Sequence, residues 1–269
     1  MQNGLRIRTM KKILIASLLA SGLLYGQEGD FRLSASLVGM SMDYTEYDGG
    51  GTAIDSEESA LNEIYGLDVG LSYLLSKNPS TYSEINSNLM IVGGDTVYKG
   101  SILGSGDPIG TVVSATVNTI IDFDVNYAKN YKVYENIELK YGLGVGYRYW
   151  ERALSASQIE IYTWYSLRPM IGVSYTINNA LRVGLDVDYQ YGVNPNMNES
   201  THGDFTLGGA DIVEVSLPIS YKYDENMEIF FQYAYQEQTI KKSNVVNEYY
   251  EPDSTARNQY VKFGLAFKY

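Results

Sequence analysis

One histidine, His202, is the only imidazole in the chain, and carboxylates stand on both sides of it. Glu199 precedes it by three positions and Asp204 follows it by two. A histidine beside a carboxylate can serve as a general base that activates water. A lone histidine next to Gly203 in a polar stretch is more often a solvated side chain. We therefore expect an imidazole without an orienting partner, and the catalytic candidates His202, Glu199 and Asp204 remain weak ones.

Two pairs of aspartates, Asp122/Asp124 and Asp186/Asp188, repeat the pattern Asp-x-Asp. Such a pair could carry paired-carboxylate chemistry or bind a cation. In a β-strand, however, both side chains of the pattern simply point to the same face. The chain has no cysteine, which excludes thiolate metal sites and thiol catalysis. It also lacks a serine-nucleophile motif and a phosphate-binding loop, so we predict no metal site and no cofactor.

The elements that must position these residues are strands, and the last eleven residues show the pattern best. In Gln259–Tyr269 apolar residues alternate with lysine, glycine and alanine, and the chain ends on an aromatic residue. Strict alternation predicts a strand with one apolar face. Phe263, Phe267 and Tyr269 on that face resemble the C-terminal assembly signal of bacterial outer-membrane β-barrels. The resemblance implies recognition by the barrel-assembly machinery and contact with outer-membrane lipid.

The start of the chain predicts export. Lys11 and Lys12 precede the apolar run Ile13–Leu24, which is too short to span a membrane as a helix, and small residues follow. We predict a signal peptide over residues 1–26 and a barrel over residues 27–269. Cleavage there removes four basic residues and no acid, which leaves 16 of the 20 basic residues against 32 acidic ones. This surplus argues against nucleic acid as a partner.

Alternation recurs along the rest of the chain, and long connections alternate with short ones, as in an up-and-down transmembrane barrel. We predict an all-β, antiparallel, ten-stranded barrel with both termini periplasmic. Eight strands are the alternative if the first and third strands are misassigned. The loops include Asp48–Asn62, Gly100–Ile109, Asn194–Ala210 and Ile240–Arg257. The predicted strands are Phe31–Tyr47, Glu63–Ser76, Tyr82–Lys99, Thr116–Tyr131, Ile137–Arg152, Ile159–Ile177, Leu181–Val193, Asp211–Tyr223, Met227–Thr239 and Gln259–Tyr269.

Even-numbered positions form the polar face, and their charges nearly balance. A narrow lumen must pair such charges or pay a heavy desolvation penalty, so the balance predicts a salt-bridged plug. Counting along the strands places Asp124 opposite Lys140, Lys222 opposite Glu228, and Asp188 diagonal to Arg168. The predicted lumen network is Asp122, Asp124, Lys140, Arg148, Glu160, Arg168, Arg182, Asp186, Asp188, Lys222 and Glu228.

The remaining acids fall in the predicted outer loops. They would form a solvated rim, or a surface that binds divalent cations beside lipopolysaccharide or attracts cationic ligands. They are Asp48, Asp55, Glu57, Glu58, Asp107, Glu199, Asp204, Glu248, Glu251 and Asp253.

The layout from Gly146 to the C-terminus is similar to that of the omptins, the outer-membrane aspartyl-type proteases. The shared features are a Gly-Tyr that leads into a long hairpin, Pro169-Met170-Ile171-Gly172 in the returning strand, and a fourth loop with His202. The resemblance implies an aspartate pair on the second loop and Asp-x-His on the fourth. Here the second loop holds only Asp107, and Ser200 stands two positions before the histidine.

These patterns predict a non-enzymatic outer-membrane surface protein with a narrow, salt-bridged lumen and acidic extracellular loops. Its role would be structural or a contact with a ligand or host, with lipopolysaccharide among its partners. Two alternatives stay open: a narrow cation-preferring channel and a degenerate omptin-like protease.

Overall fold

A computed structural model describes residues 30–101 and 107–269. The predicted signal peptide lies outside the described residues. Within them, no helix is long and apolar enough to cross a membrane. Every element is a strand, and the bounds are β1 Phe31–Tyr47, β2 Ala53–Glu58, β3 Ile64–Lys77, β4 Thr81–Gly100, β5 Val112–Tyr134, β6 Ile137–Ala153, β7 Ile159–Thr176, β8 Leu181–Glu199, β9 Gly203–Lys222, β10 Met227–Ser243 and β11 Asp253–Lys268.

The strands form one antiparallel sheet that closes on itself, because β11 pairs with β1 from Arg32↔Lys268 to Tyr47↔Asp253. Both β2 and β3 lie between β1 and β4, so together they occupy one position in the wall. The ring therefore has ten strands, as predicted, and the eight-stranded alternative is wrong. The prediction of a loop over Asp48–Asn62 is also wrong in part, since β2 lies within it and belongs to the barrel wall. Residues 59–63 separate β2 from β3.

The predicted loop Asn194–Ala210 is mostly strand, and half of the predicted loop Ile240–Arg257 is strand. β8 and β9 extend toward each other until only residues 200–202 separate them, and β10 and β11 extend until residues 244–252 do. Polar composition suggested loops here because these strand ends carry polar side chains on the outer face. The pairing of β8 with β7 shifts register between Thr163 and Tyr165 of β7. Asn194, the β8 residue at this shift, has a φ of 58°. Beyond this bulge Met197 and Glu199 point inward. Odd-numbered residues of β8 thus face outward in the lower wall and inward above the bulge.

The outward residues divide the barrel into two zones. On β11 Val261, Phe263, Leu265, Phe267 and Tyr269 face outward in the lower wall. Above them the outward positions become polar on several strands, although Val97 on β4 and Val113 and Val117 on β5 remain exposed and apolar. On β1, β6 and β11 those polar residues are Asp43, Glu151 and Arg257. An apolar belt of this kind is the lipid-facing zone of a transmembrane barrel, and the polar upper wall is an extension beyond it.

Proline residues inside β7 and β9 interrupt the ladder without changing its register. Because proline cannot donate to the ladder, Pro169 and Pro218 would ordinarily be accompanied by a bulge or a distorted register. The pairing of β7 with β8 instead skips two positions between Leu167↔Tyr191 and Met170↔Asp188, and the register is the same on both sides. The pairing of β8 with β9 skips two positions next to Pro218 in the same way.

The core lies inside the barrel. A cluster of buried apolar side chains fills the upper half of the lumen, and every strand of the ten-membered ring contributes to it. Its largest members, Trp150, Trp164, Tyr44, Tyr162 and Tyr260, are at most 2% exposed. Apolar side chains from all sides of the barrel therefore pack together at this level of the lumen.

Candidate functional site

A network of four charged side chains lies just below the apolar cluster. Asp122 accepts from Arg148 at 3.0 Å and from Arg168 at 2.6 Å, and Asp124 lies 3.6 Å from Arg168. All are buried or nearly so. The predicted pair Asp124–Lys140 is wrong: β5 extends to Tyr134, so the turn comes three residues later than expected. Asp124 therefore faces Gly146, and Asp122 faces Arg148.

Further ion pairs line the lower half of the lumen. Lys140 binds Asp186 at 3.0 Å, and Arg182 lies 3.6 Å from Glu138. Lys262 binds Asp68 at 2.7 Å.

The predicted position of Lys222 opposite Glu228 is confirmed by the register. The side chain of Lys222 is exposed, however, and Glu228 binds Lys268 at 2.7 Å and Arg32 at 3.3 Å instead. The diagonal position of Asp188 to Arg168 is also confirmed, since Asp188 pairs with Met170. Arg168 itself contacts Asp122 and Asp124.

These charges surround a cavity of about 810 Å³ in the lower half of the barrel. Its lining reaches Phe31, Asn78 and Lys268, at the end of the barrel that contains residue 30, the C-terminal residue Tyr269 and the turns at residues 78–80 and 223–226. At its inner end it stops at Met90, Tyr260 and the Asp122–Arg168 pair. The cavity is therefore a pocket that opens toward one end.

A second charged cluster, which sequence reasoning largely missed, centres on Arg152 in the upper extension. The guanidinium is fully buried and lies 2.9 Å from Glu46, 2.9 Å from Glu57 and 2.7 Å from Glu160. The ring of Tyr44 lies 4.2 Å from its central carbon, in cation–π geometry. Only Glu160 was among the predicted lumen residues. The available signal was Arg152 itself, an inward position at the end of the most regular strand.

This Arg152 cluster contains more acids than bases. Burial and the nearby Glu46 raise the pKa of Asp55, on β2, to about 9. Burial and repulsion from Glu46 and Glu160 also raise the pKa of Glu251, in the β10–β11 connection, well above its ordinary value. Glu251 accepts a short hydrogen bond from the Tyr162 hydroxyl. The extension thus places one arginine among several carboxyls, and burial and mutual repulsion raise the pKa of two of them, Asp55 and Glu251.

The rim prediction needs correction at four acids. Asp55, Glu57, Glu199 and Glu251 were expected on solvated loops, but Glu57, Glu199 and Glu251 are buried and Asp55 is partly so. The alternation was not recognised there because the segments were assigned to loops. The other predicted rim acids are exposed or half-exposed: Asp48, Glu58, Asp107, Asp204, Glu248 and Asp253.

His202 has an orienting partner, contrary to expectation. Its Nδ1 lies 2.7 Å from Glu199 Oε2, and its ring packs on Tyr249 at 3.8 Å between centroids. The tight turn after β8 causes this, because the Glu199 carboxylate also accepts from the backbone N–H groups of Thr201 and His202. Burial opposes ionisation of Glu199, but these hydrogen bonds outweigh it and lower its pKa.

The other catalytic candidates do not gather around this pair. Asp204 accepts from Asn198 at 2.8 Å on the exposed side of the hairpin. Asp107 is exposed in the β4–β5 connection. In the described part of the chain, no group of three or more His, Cys, Asp or Glu side chains could hold a metal ion. The arrangement at the hairpin thus supplies one oriented imidazole.

Comparison with known proteins gives the fold alone. No protein-family model matches the chain, and no curated protein matches it by sequence. Among solved structures, the outer-membrane protease OmpT from Escherichia coli matches with a TM-score of 0.57 and 14% identity, over 91% of this chain and 99% of that one. The translocator domain of the autotransporter NalP from Neisseria meningitidis matches with a TM-score of 0.40 and 10% identity, over 99% and 98% of the two chains. The Ail protein of Yersinia pestis matches with a TM-score of 0.34 and 12% identity, over 90% and 100%.

The OmpT likeness carries the structural argument, and at this identity it extends to architecture and not to activity. The chain has the all-β, antiparallel, up-and-down fold of the bacterial outer-membrane β-barrels.

Proposed function

We propose that the protein is a closed outer-membrane barrel with a structural or contact role at the cell surface, and that it is neither a channel nor an enzyme. The observation that carries this proposal is the filled cross-section in the upper half of the lumen. Trp150, Trp164 and Met40 meet there with side chains from every strand of the ring. A continuous water path would have to displace this packed layer, and packed interiors leave few voids as large as a water molecule.

Charge pairing below the layer supports the same conclusion. A cation-preferring channel needs a row of unneutralised carboxylates along a continuous path. Here Asp122 and Asp124 are bound by arginines, and Asp68 by Lys262. The geometry therefore favours a plug over a cation path.

The orientation follows from the two ends of the barrel. Residue 30, where the described chain begins, Tyr269 and four short turns share one end, as at the periplasmic side of outer-membrane barrels. We therefore propose that both termini are periplasmic and that the polar extension projects from the cell. Its exposed acids, among them Glu58, Asp204 and Glu248, are suited to contact divalent cations beside lipopolysaccharide or a cationic surface. Lipid and the barrel-assembly machinery complete the proposed partners.

A degenerate omptin-like protease is the second candidate, favoured by one observation, the oriented His202–Glu199 pair. The second loop holds a single carboxylate, Asp107, where the omptin resemblance implies a pair. We expect no cleavage of dibasic peptides by the purified protein. Cleavage that His202→Ala abolishes would establish this candidate in place of the closed surface barrel.

Osmotic swelling of proteoliposomes tests closure. Vesicles that contain the refolded protein should swell in a pentose solution no faster than protein-free vesicles. The double variant Trp150→Ala/Trp164→Ala removes the two largest side chains of the layer and should admit the sugar. Tyr127→Ala, which truncates an aromatic residue on the outer face, is the matched control. Rapid swelling with the unaltered protein would contradict the proposal.

A further inference from the structure

Two carboxylates face each other inside the lower cavity without a base between them. Asp188 on β8 is directly opposite Glu214 on β9, and both line the cavity. Directly opposite side chains on antiparallel strands are about 5 Å apart at Cβ, and like charges in that position repel. The lower cavity thus contains a pair of acids in a repulsive position.

The neighbouring bases are engaged elsewhere. Arg168 binds Asp122 at 2.6 Å, and Lys262 binds Asp68 at 2.7 Å. Among the described residues no Lys, Arg or His nitrogen lies within 4.0 Å of either Asp188 or Glu214. Neither carboxylate therefore has a salt-bridge partner of its own among the described residues.

An independent observation at the same place points to a ligand with hydrogen-bond donors. Gln190 lies two residues beyond Asp188 on the same inward face and lines the same cavity. It is 3% exposed, yet its Oε1 has no hydrogen-bond partner. Buried amide oxygens are almost always satisfied, so an orphaned one needs an explanation. A nearby amide nitrogen is already used, since Gln236 Nε2 donates to Glu214 at 3.0 Å.

We propose that the acceptors of Asp188, Glu214 and Gln190 form a binding site for the ammonium group of a small amine that enters the cavity from its open end. A primary ammonium brings one positive charge and three N–H donors, which correspond to three acceptor groups. The cavity has the size of ordinary small-molecule sites, about 300–1,000 Å³. Its lining includes the inward-facing residues Met170, which is directly opposite Asp188, and Pro218, and these can cover the carbon chain of such a ligand.

A divalent metal fits the site less well. Such ions take six or more oxygen ligands in compact geometry, and the described residues contain no group of three or more acidic or histidine side chains arranged to hold one. The N–H donors of an ammonium, rather than its charge alone, should determine the affinity. This distinguishes a primary amine from a quaternary one.

Calorimetric titration of the refolded protein in detergent with n-butylamine tests the proposal, with tetramethylammonium and Ca²⁺ as the other ligands. Butylamine should bind at least about tenfold more tightly than tetramethylammonium, since each hydrogen bond to a charged group contributes about 1.5–3 kcal/mol. Asp188→Asn and Glu214→Gln should each weaken butylamine binding about tenfold or more, for the same reason.

Both variants relieve a repulsion, so they should fold at least as well as the unaltered protein, and heat-dependent gel mobility checks this. Glu228→Gln is the matched control, because it neutralises another carboxylate of the same cavity, one that binds Arg32 and Lys268. It should leave the affinity within about twofold. Absence of butylamine binding, equal binding by the variants, or preference for tetramethylammonium or Ca²⁺ would each overturn the proposal.

Discussion

Replacing Arg152 by methionine should destabilise the barrel strongly, because it leaves buried carboxylates without their base. The guanidinium is fully buried and binds Glu46, Glu57 and Glu160 within 2.9 Å. Removing one partner of a buried ion pair typically costs about 3–5 kcal/mol. Methionine retains much of the volume, so cavity formation adds little. We expect a loss of about 3–5 kcal/mol in the free energy of unfolding at pH 8.

The loss should shrink on acidification. In the unaltered protein burial opposes ionisation of Glu57, but Arg152 and Thr96 outweigh it and hold its pKa below the ordinary value. The stability from this group is therefore present above the unfolded pKa and lost as the pH falls. Without Arg152, burial and repulsion from the neighbouring carboxylates raise the pKa of Glu57 above its value in the unfolded chain. Stability is then lost as the pH rises. The difference between the two proteins is accordingly largest at pH 8 and smaller at pH 5.

Urea unfolding in lipid vesicles, followed by tryptophan fluorescence and gel mobility, measures this difference. Arg257→Met is the matched control on the exposed outer face, and it should change the stability by less than about 0.5 kcal/mol. Adding Glu57→Gln to Arg152→Met should restore part of the loss, since the two positions are in contact. An effect of Arg152→Met no larger than that of the control, or one that grows toward pH 5, would refute the reasoning.

Three further outcomes are expected. The folded protein should run faster on a denaturing gel unboiled than boiled, and equal mobility would contradict a closed barrel. Tyr269→Asp should prevent assembly into the outer membrane while export to the periplasm continues, and normal heat-dependent mobility of this variant in membranes would contradict a role in assembly. Glu199→Gln should weaken the hairpin at residues 199–203 by about 1–2 kcal/mol at pH 7, because its carboxylate accepts from two backbone N–H groups and from His202. Its lowered pKa means that this contribution decreases as the pH falls through the folded pKa, so hydrogen exchange should differ between the two proteins more at pH 7 than at pH 3.

Alternation predicted the fold well because lipid on one side and a polar lumen on the other impose a period of two. The lower wall follows it on every strand, and the ring of ten strands is confirmed. The period failed as a guide above the belt, where both faces carry polar groups. There β2 and the upper parts of β8 and β9 were assigned to loops, and the bulge at Asn194 changes which residues point inward.

The site was less predictable because ion pairing depends on register. An error of three residues in the β5–β6 turn was enough to assign Asp124 the wrong partner, whereas the turn before β10 placed Lys222 opposite Glu228 correctly. Arg152 could not be connected to Glu46 and Glu57 from spacing, since those acids are about 100 positions away. Only the closed ring brings β1, β2 and β6 to one cluster.

Conductance across a planar lipid bilayer tests the central claim, closure of the lumen, most directly. Inserted, folded protein should give no steady current step at moderate voltage in molar KCl, because the layer of Trp150, Trp164 and their neighbours leaves no path for ions. Trp150→Ala/Trp164→Ala should give a measurable step in the same bilayers, which verifies that insertion can be detected. A stable, cation-selective conductance from the unaltered protein would contradict the closed barrel and establish the channel in its place.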